Sequence, residues 1–178
     1  AELVRGAENV IIAGGSAIGV EVGVELAHAG KKVHVFEYFP QLFPRSLDPD
    51  IAKRIEKALS TDNLFFHTSS PVEEVIVENG KATGIVSKGE THPADFILLA
   101  TGMKPNTDLV KGTGIGLGKY GGIVVNERME TTVPDIYAAG DCVETHDLLT
   151  GAPTLSMLAG SALRQGRVAG INMSGGEA

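Results

Sequence analysis

Residues 10–37 read VIIAGGSAIGVEVGVELAHAGKKVHVFE, and the fold class follows from this stretch. Val10-Ile11-Ile12-Ala13 is a short apolar run stopped by Gly14-Gly15, the pattern of a strand buried on both faces. Ala17 to Ala29 then predict a helix closed by Gly30, and Val33-His34-Val35-Phe36-Glu37 a second strand. Two β-branched runs joined by a helix of this length make a right-handed βαβ unit with parallel strands, which sets the α/β class.

The turn between the first strand and the helix carries the chemistry. Gly14, Gly15, Ser16, Ala17, Ile18 and Gly19 lie where the unpaired N–H groups of a helix N-terminus meet an anion, the position of a nucleotide pyrophosphate. Gly14 permits the tight turn, and Gly19 lets the helix approach the sheet. Ser16 replaces the middle glycine of the usual G-x-G-x-x-G, so its side chain either crowds the pyrophosphate or donates a hydrogen bond to it. Glu37 ends the second strand 18 residues after Gly19, where a carboxylate accepts hydrogen bonds from the 2′- and 3′-hydroxyls of an adenine ribose. The plainer reading of Glu37 is an exposed acid at a strand end. Because Tyr38, Phe39 and Pro40 include no cation to receive a 2′-phosphate, NAD(H) is preferred over NADP(H). Glu21, just inside the helix, either interacts with the helix dipole or faces the nicotinamide end.

Outward from this unit, Asp48-Pro49-Asp50 predicts a second helix with Asp48 as N-cap and Pro49 at its first position. A third strand is expected near Leu64 to Phe66. Val75-Ile76-Val77 and Thr83-Gly84-Ile85-Val86 flank Asn79-Gly80, a hairpin signal that splices an antiparallel element into the parallel sheet. Ala94 to Ala100 return to a buried strand that ends at Thr101-Gly102. From Met103 the composition turns glycine-rich, with short β segments at Ile123 to Val125 and Ile136 to Ala138 and a helix within Ala159 to Asn172. A boundary is expected between residues 103 and 110, giving domains 1–108 and 109–178.

At 178 residues the chain holds one α/β domain plus part of another, and 43% hydrophobic with 21% charged residues is a globular composition. A net charge of −7 argues against nucleic acid and anionic membrane as partners. The apolar window from Val10 to Gly30 carries Glu21, Glu25 and His28, which argues against a membrane span. The N-terminus lacks a basic region followed by an apolar one and so does not read as a signal peptide. The lone Cys142 forms no disulfide within the chain, and a reducing, cytoplasmic setting is expected. His28, His34, His67, His92 and His146 are scattered without metal-ligand spacing, so no metal is expected. Neither Tyr-x-x-x-Lys nor Gly-x-Ser-x-Gly occurs, which removes short-chain dehydrogenase and α/β-hydrolase readings.

Three stretches together resemble the pyridine nucleotide-disulfide oxidoreductase superfamily, flavoproteins that move electrons from NAD(P)H through FAD. They are Gly14 to Glu21, Ala100-Thr101-Gly102-Met103-Lys104-Pro105-Asn106-Thr107, and Thr131 to Asp141, which ends in Ala138-Ala139-Gly140-Asp141. Thr150 to Pro153 and Arg164 to Gly170 are similar to the subgroup of coenzyme A-disulfide reductases and NADH oxidases. The resemblance implies a Rossmann-like fold with an NAD domain from Gly14 to Gly102, inserted within an FAD domain that returns near residue 110. It also implies that Gly140 and Asp141 contact FAD, with Asp141 hydrogen-bonded to the ribityl chain, and that Thr101 and Gly102 approach the nicotinamide.

Members of that superfamily carry an upstream FAD-binding βαβ unit, often a redox cysteine, and a downstream dimerisation domain. None of these is read in the present residues, so the chain is expected to be a segment of a longer enzyme, inactive alone, with no catalytic side chain of its own. Cys142, by the same resemblance, is a packing residue. The parent would pass hydride from NAD(P)H to FAD and on to a disulfide, oxygen or another acceptor. The competing expectation is a stand-alone NAD-binding or sensor module without redox activity. Glycine-rich β segments with exposed edges also predict pairing with a second copy, a homodimer.

Overall fold

The computed structural model describes residues 4–178, so the reading of the first three residues, which bears on the signal-peptide expectation, lies outside the described residues. The chain divides into two compact units, one ending at Gly102 and one spanning Met103–Ala178.

The first unit contains β1 (Asn9–Ala13), α1 (Ala17–His28), β2 (Lys32–Phe36), α2 (Pro49–Leu59), β3 (Leu64–His67), β4 (Glu74–Glu78), β5 (Lys81–Ser87), β6 (Glu90–Pro93) and β7 (Phe96–Leu99). Its parallel sheet runs β3-β2-β1-β7, with Val10 opposite Val33 on one side and Phe96 on the other. Alternation along β1 decides the two faces. Val10 and Ile12 join Ala27, Val33, Val35 and Leu64 in one apolar cluster, while Ile11 joins Phe36, Ile85 and Ala94 in another. Burial on both sides explains why β1 reads as a continuous apolar run, and each such side chain contributes about 1.5–3 kcal/mol.

The expected antiparallel insertion is present, placed in the chain between β3 and β7 of the parallel sheet. It is a separate three-stranded meander, β4-β5-β6, whose Ile85 packs against Ile11 and Phe36. Asn79-Gly80 forms the expected turn with both residues at positive φ, 50° and 77°. A second turn of the same kind, Lys88-Gly89, adds the strand that the sequence pattern missed. Lysine is a poor residue for a left-handed position. Here the Glu73 carboxylate accepts hydrogen bonds from the Lys88 and Gly89 N–H groups, at 3.2 and 3.4 Å, and supports the turn.

The second unit contains one 3-10 turn (Asp108–Val110), β8 (Ile123–Val124), β9 (Val143–His146), β10 (Pro153–Leu155) and α3 (Ala159–Met173). Its sheet runs β10-β9-β8, and Ile123, Val125, Met129, Val143 and Ala169 form its core. No strand forms at Ile136 to Ala138. Asp135 adopts a left-handed conformation (φ 63°) and leaves only a single bridge between Glu130 and Tyr137.

Three of the five histidines meet at the face of the parallel sheet that carries the meander, a grouping that no spacing in the sequence announces. His34 Nδ1 lies 2.9 Å from His67 Nε2, and Phe36 stacks on His67 at 4.5 Å and meets the His92 ring at 4.8 Å. Burial lowers the His34 pKa from 6.5 to about 4, helped by the nearby His67, Lys32 and His92. Burial, with His92 and Lys88, lowers that of His67. Among the described residues, no group of three or more His, Cys, Asp or Glu could hold a metal ion.

Two predictions follow from this packing. A Cβ on Gly19 would collide with the carbonyl oxygen of Gly14, whereas one on Gly23 would meet only side-chain atoms at 3.3–3.5 Å. Gly19→Ala should cost about 3 kcal/mol or more in urea unfolding. Gly23→Ala should stay within about 1 kcal/mol of the parent, because the helix-propensity gain of alanine offsets mild crowding. For the histidines, the unfolded chain binds more protons than the folded one between pH 6.5 and about 4. Stability conferred by neutral His34 is therefore complete above that window and falls as pH drops through it. His34→Gln should flatten the urea midpoint against pH there, and an unchanged slope would exclude the histidine as its source.

Candidate functional site

At the C-terminal ends of β1, β2 and β7 the first unit opens a cleft of about 540 Å³. Gly14, Ser16, Glu37, Thr101 and Gly102 line it, together with Tyr38, Phe39, Phe43, Pro44, Arg45 and Ser46. Ligands of open parallel sheets bind outside this edge, because the helix N-termini and the turns that follow each strand converge there.

The glycine turn is shaped by contacts on both sides. Gly14 holds φ 113°, donates its N–H to the Phe36 carbonyl at 2.8 Å, and faces the Ala100 carbonyl so closely that no Cβ fits. Gly19 is packed against Gly14 in the same way. Ser16 is the N-cap of α1 at φ −89°, a conformation open to any residue, and its side chain makes no capping hydrogen bond. The hydroxyl is therefore exposed at the cleft rather than consumed by the helix. The first-turn N–H groups of α1, at Ala17, Ile18 and Gly19, have no acceptor within the helix. Ala17 and Ile18 are exposed beside the turn, and Glu21 is exposed one turn along. None of these three lines the cleft, and neither does buried Gly15.

Glu37 is buried, only 5% exposed, rather than a solvated acid at a strand end. Its Oε2 accepts the Gly15 N–H at 2.6 Å, and its Oε1 accepts the Phe39 N–H at 2.8 Å. A carboxylate offers about four lone-pair sites, so acceptor capacity remains toward the cleft. The backbone around it is tied as well, Glu37 N–H to the His67 carbonyl and Ser70 N–H to the Glu37 carbonyl. Thr101 and Gly102 (φ 117°), both exposed, close the cleft from the end of β7.

The loop after Glu37 supplies cleft residues that the sequence reading missed. Leu42 is fully buried and occupies the space beside Gly15, and the Phe43 N–H donates to the Gly15 carbonyl at 2.9 Å. Phe43 adopts φ 51°, a strained state for a bulky residue, and it is held there by that bond. Gln41 Nε2 donates to the Leu47 carbonyl and closes the loop at 2.9 Å. The one sequence signal for this arrangement is an apolar pair, Leu42-Phe43, within a loop expected to be polar.

In the second unit, Gly140 (φ 89°) donates its N–H to Gln165 Oε1 at 2.8 Å, and Asp141 is exposed, its carboxylate without a hydrogen-bond partner among the described residues. Cys142 is half-buried against the Ile123 cluster, its Sγ 3.5 Å from the Ala139 carbonyl, which is the packing role expected of it. No helix of the described residues is long and apolar enough to cross a membrane.

Comparison with known proteins adds an independent line. A family model described as pyridine nucleotide-disulphide oxidoreductase matches residues 1–166. The chain is 41% identical over 174 residues to an NADH oxidase of Methanocaldococcus jannaschii, covering 98% of this chain and 38% of that protein. Among solved structures, an NAD-dependent persulfide reductase from A. fulgidus superposes with a TM-score of 0.93 at 37% identity, over 98% of this chain and 32% of that one. An FAD-dependent pyridine nucleotide-disulphide oxidoreductase from Desulfovibrio vulgaris gives 0.92 at 36% identity, over 98% of this chain and 44% of that one. The chain thus spans 38% of the length of the curated relative, with the glycine turn, the Glu37 strand end and the Gly140-Asp141 turn all inside the matched region. By this match over most of its length, the chain belongs to the pyridine nucleotide-disulphide oxidoreductase family.

Proposed function

We propose that this chain is the nicotinamide-dinucleotide-binding portion of an FAD-dependent NAD(P)H oxidoreductase that prefers NADH. The observation that carries the reading is Glu37, a buried carboxylate held by two backbone N–H groups at the rim of a cleft that also takes in Gly14 and Ser16, the N-cap of α1. In this reading the pyrophosphate lies over the Ala17, Ile18 and Gly19 N–H groups, and the Ser16 hydroxyl donates to it. Glu37 accepts from the ribose hydroxyls with its remaining lone pairs, while Thr101 and Gly102 flank the nicotinamide end. Glu21 lies outside the cleft, which favours its interaction with the dipole of α1.

The residues present also suit a flavin. Asp141 has an uncommitted carboxylate for ribityl hydroxyls, and Gly140, without a side chain, lets backbone come close. When bound, the flavin accepts hydride from the nicotinamide and relays electrons to a disulfide, oxygen or another acceptor. The chain's own part is orientation. A sensor module without redox activity has no use for an uncommitted Asp141 behind a glycine at φ 89°. We assign residues 1–108 to the nucleotide domain and 109–178 to the returning segment of the FAD domain. A cytoplasmic setting, on the single free cysteine, and homodimerisation through the edges of the β10-β9-β8 sheet belong to the same reading.

Calorimetric titration tests it. NADH should bind, and Glu37→Gln should weaken binding about tenfold, the scale of one charge-assisted hydrogen bond. The same variant should lower the urea midpoint, because one buried N–H, of Gly15 or Phe39, then faces an amide that cannot accept. Heats that are absent, or identical in both proteins, would remove the ribose assignment. Solution scattering should return the mass of a dimer, and a monodisperse monomer would count against edge pairing.

A further inference from the structure

A second cavity of the first unit, of about 490 Å³, lies at the opposite end of the strands from the cleft, where Asn9 and Lys32 begin β1 and β2 as a pair. Alternation puts Asn9 and Ile11 on one face of β1, and Lys32, His34 and Phe36 on the same face of β2. The meander covers the far part of that face with Ile85, which packs on Ile11 and Phe36. His92, the cross-strand partner of Ile85, and Thr83 wall the cavity from the meander side.

Lys32, His34 and His92 bring three groups able to carry positive charge to this one hollow. Among the described residues, the Lys32 ammonium has neither an ion pair nor a hydrogen bond and lies over the Phe65 ring, 5.9 Å from its centre. His34 spends Nδ1 on His67 Nε2 at 2.9 Å and keeps Nε2 unpaired, and the His92 ring and Thr83 hydroxyl, both half-buried, are unpaired as well. Asp95 is the one acid of the lining, and its Oδ2 already accepts the Glu8 N–H, the Asn9 N–H and the Asn9 amide, at 3.0, 2.7 and 3.3 Å. Burial, His67, Lys32 and His92 all oppose a proton on His34, and Lys88 adds to the same effect at His67. Half-buried donors without partners and crowded groups of one sign both cost stability, and one oxyanion would relieve both. A metal ion would not, because Lys32 would repel it and the two facing histidine nitrogens bond each other. The volume falls in the range of small-molecule sites and exceeds that of a single ion.

We infer that this cavity is a second ligand site, for a small dianionic oxyanion of the phosphate or dicarboxylate class, held by Lys32 and His92 and entering together with one solvent proton shared by the His34–His67 pair. The protonated pair keeps its bond, with His34 Nδ1–H donating to His67 Nε2, and the His34 Nε2–H becomes a charged donor for the ligand. An anion in the cavity raises the His34 pKa from about 4, so binding takes up a proton and weakens as pH rises. The site is independent of the nucleotide assignment, since none of its residues lines the cleft.

The test is calorimetric titration of the 178-residue chain and its Lys32→Gln, His34→Gln and His92→Gln variants with sulfate and with succinate, both dianions at neutral pH. Ionic strength is held constant with chloride, each protein is first checked by thermal melting, and each titration is run in two buffers of different ionisation heat, which yields the protons taken up. The unaltered chain should bind at least one probe saturably at pH 6.5, with uptake of a fraction of a proton, and several-fold more weakly at pH 8. Lys32→Gln and His92→Gln should each weaken binding by about tenfold, the scale of one charge-assisted hydrogen bond, and His34→Gln should abolish the proton uptake. Binding of sulfate alone assigns a phosphate-like ligand, of succinate alone a dicarboxylate, and of both a site that reads charge. Absence of binding by either probe, or an affinity unchanged by Lys32→Gln, overturns the site. Binding without proton uptake, or uptake that survives in His34→Gln, overturns the role of the histidine pair.

Discussion

The 2.6 Å hydrogen bond from the Gly15 N–H to the Glu37 carboxylate ties together two parts of the βαβ unit, the turn that opens α1 and the residue that follows β2. At 5% exposure the carboxylate has lost nearly all of its hydration, which is costly unless hydrogen bonds replace it. Two charge-assisted hydrogen bonds, each worth about 1.5–3 kcal/mol, offset that desolvation and keep the group in place as an acceptor. The consequence reaches further than stability. Because the same carboxylate orders Gly15 and Phe39, it orders the glycine turn and the start of the loop that walls the cleft. The atoms that line the cleft and the atoms that hold the turn are here the same few.

The second unit uses the same device. Glu144, on β9 and 3% exposed, accepts the Tyr120 N–H at 2.8 Å and the Gly122 N–H at 3.4 Å, fixing a glycine-rich turn. Its carboxylate fills the space that a side chain on Gly118 would need, so the glycine there is a packing requirement. Glu144, on β9, and Glu37, just after β2, are both buried acids bonded to backbone amides. Only Glu37 lines a cleft. The distinction between a structural acid and a ligand-facing one therefore lies in what surrounds the remaining lone pairs, which neither residue type nor burial alone reveals.

That distinction explains which parts of the molecule were legible from residues. The βαβ unit was legible because local rules agree: an apolar run of strand length, two glycines that stop it, a helix-length segment and a second β-branched run. The meander was half legible, since Asn79-Gly80 forms its turn by intrinsic preference whereas Lys88-Gly89 relies on Glu73, the residue before β4. The β segment at Ile136 to Ala138 does pair, through the Thr131 N–H to the Ile136 carbonyl and the Ala138 N–H to the Met129 carbonyl, but the pairing amounts to one bridge, Glu130 to Tyr137, rather than a strand. The histidine group was invisible because it depends on register: His34 and His67 sit on adjacent parallel strands, with Phe36 paired to His67, and 33 residues of chain separate the two histidines. The cleft wall from Phe43 to Ser46 was hidden for a related reason, as its place follows from the burial of Leu42 and the Phe43 to Gly15 bond rather than from anything within the loop.

The polar groups that remain uncommitted complete the argument. Among the described residues, Asp95 and Asp147 are held below the usual carboxylate range, Asp95 chiefly by the Asn9 N–H and Asp147 chiefly by the Thr150 hydroxyl. Glu37 and Glu144 are likewise tied to backbone. Ser16 and Asp141, by contrast, make no side-chain hydrogen bond or ion pair. Exposed polar groups without partners are common on any surface, so their number means little. Their placement means more: Ser16 caps a helix at the cleft without spending its hydroxyl on the cap. Asp141 follows a glycine at φ 89° whose N–H is anchored by Gln165. In each case the backbone is over-determined while the functional group is left free, the arrangement that lowers the entropic cost of binding. In the proposed reading, a selective loss of ligand affinity without loss of fold is thus expected at these positions, whereas at Glu37 the two must fall together.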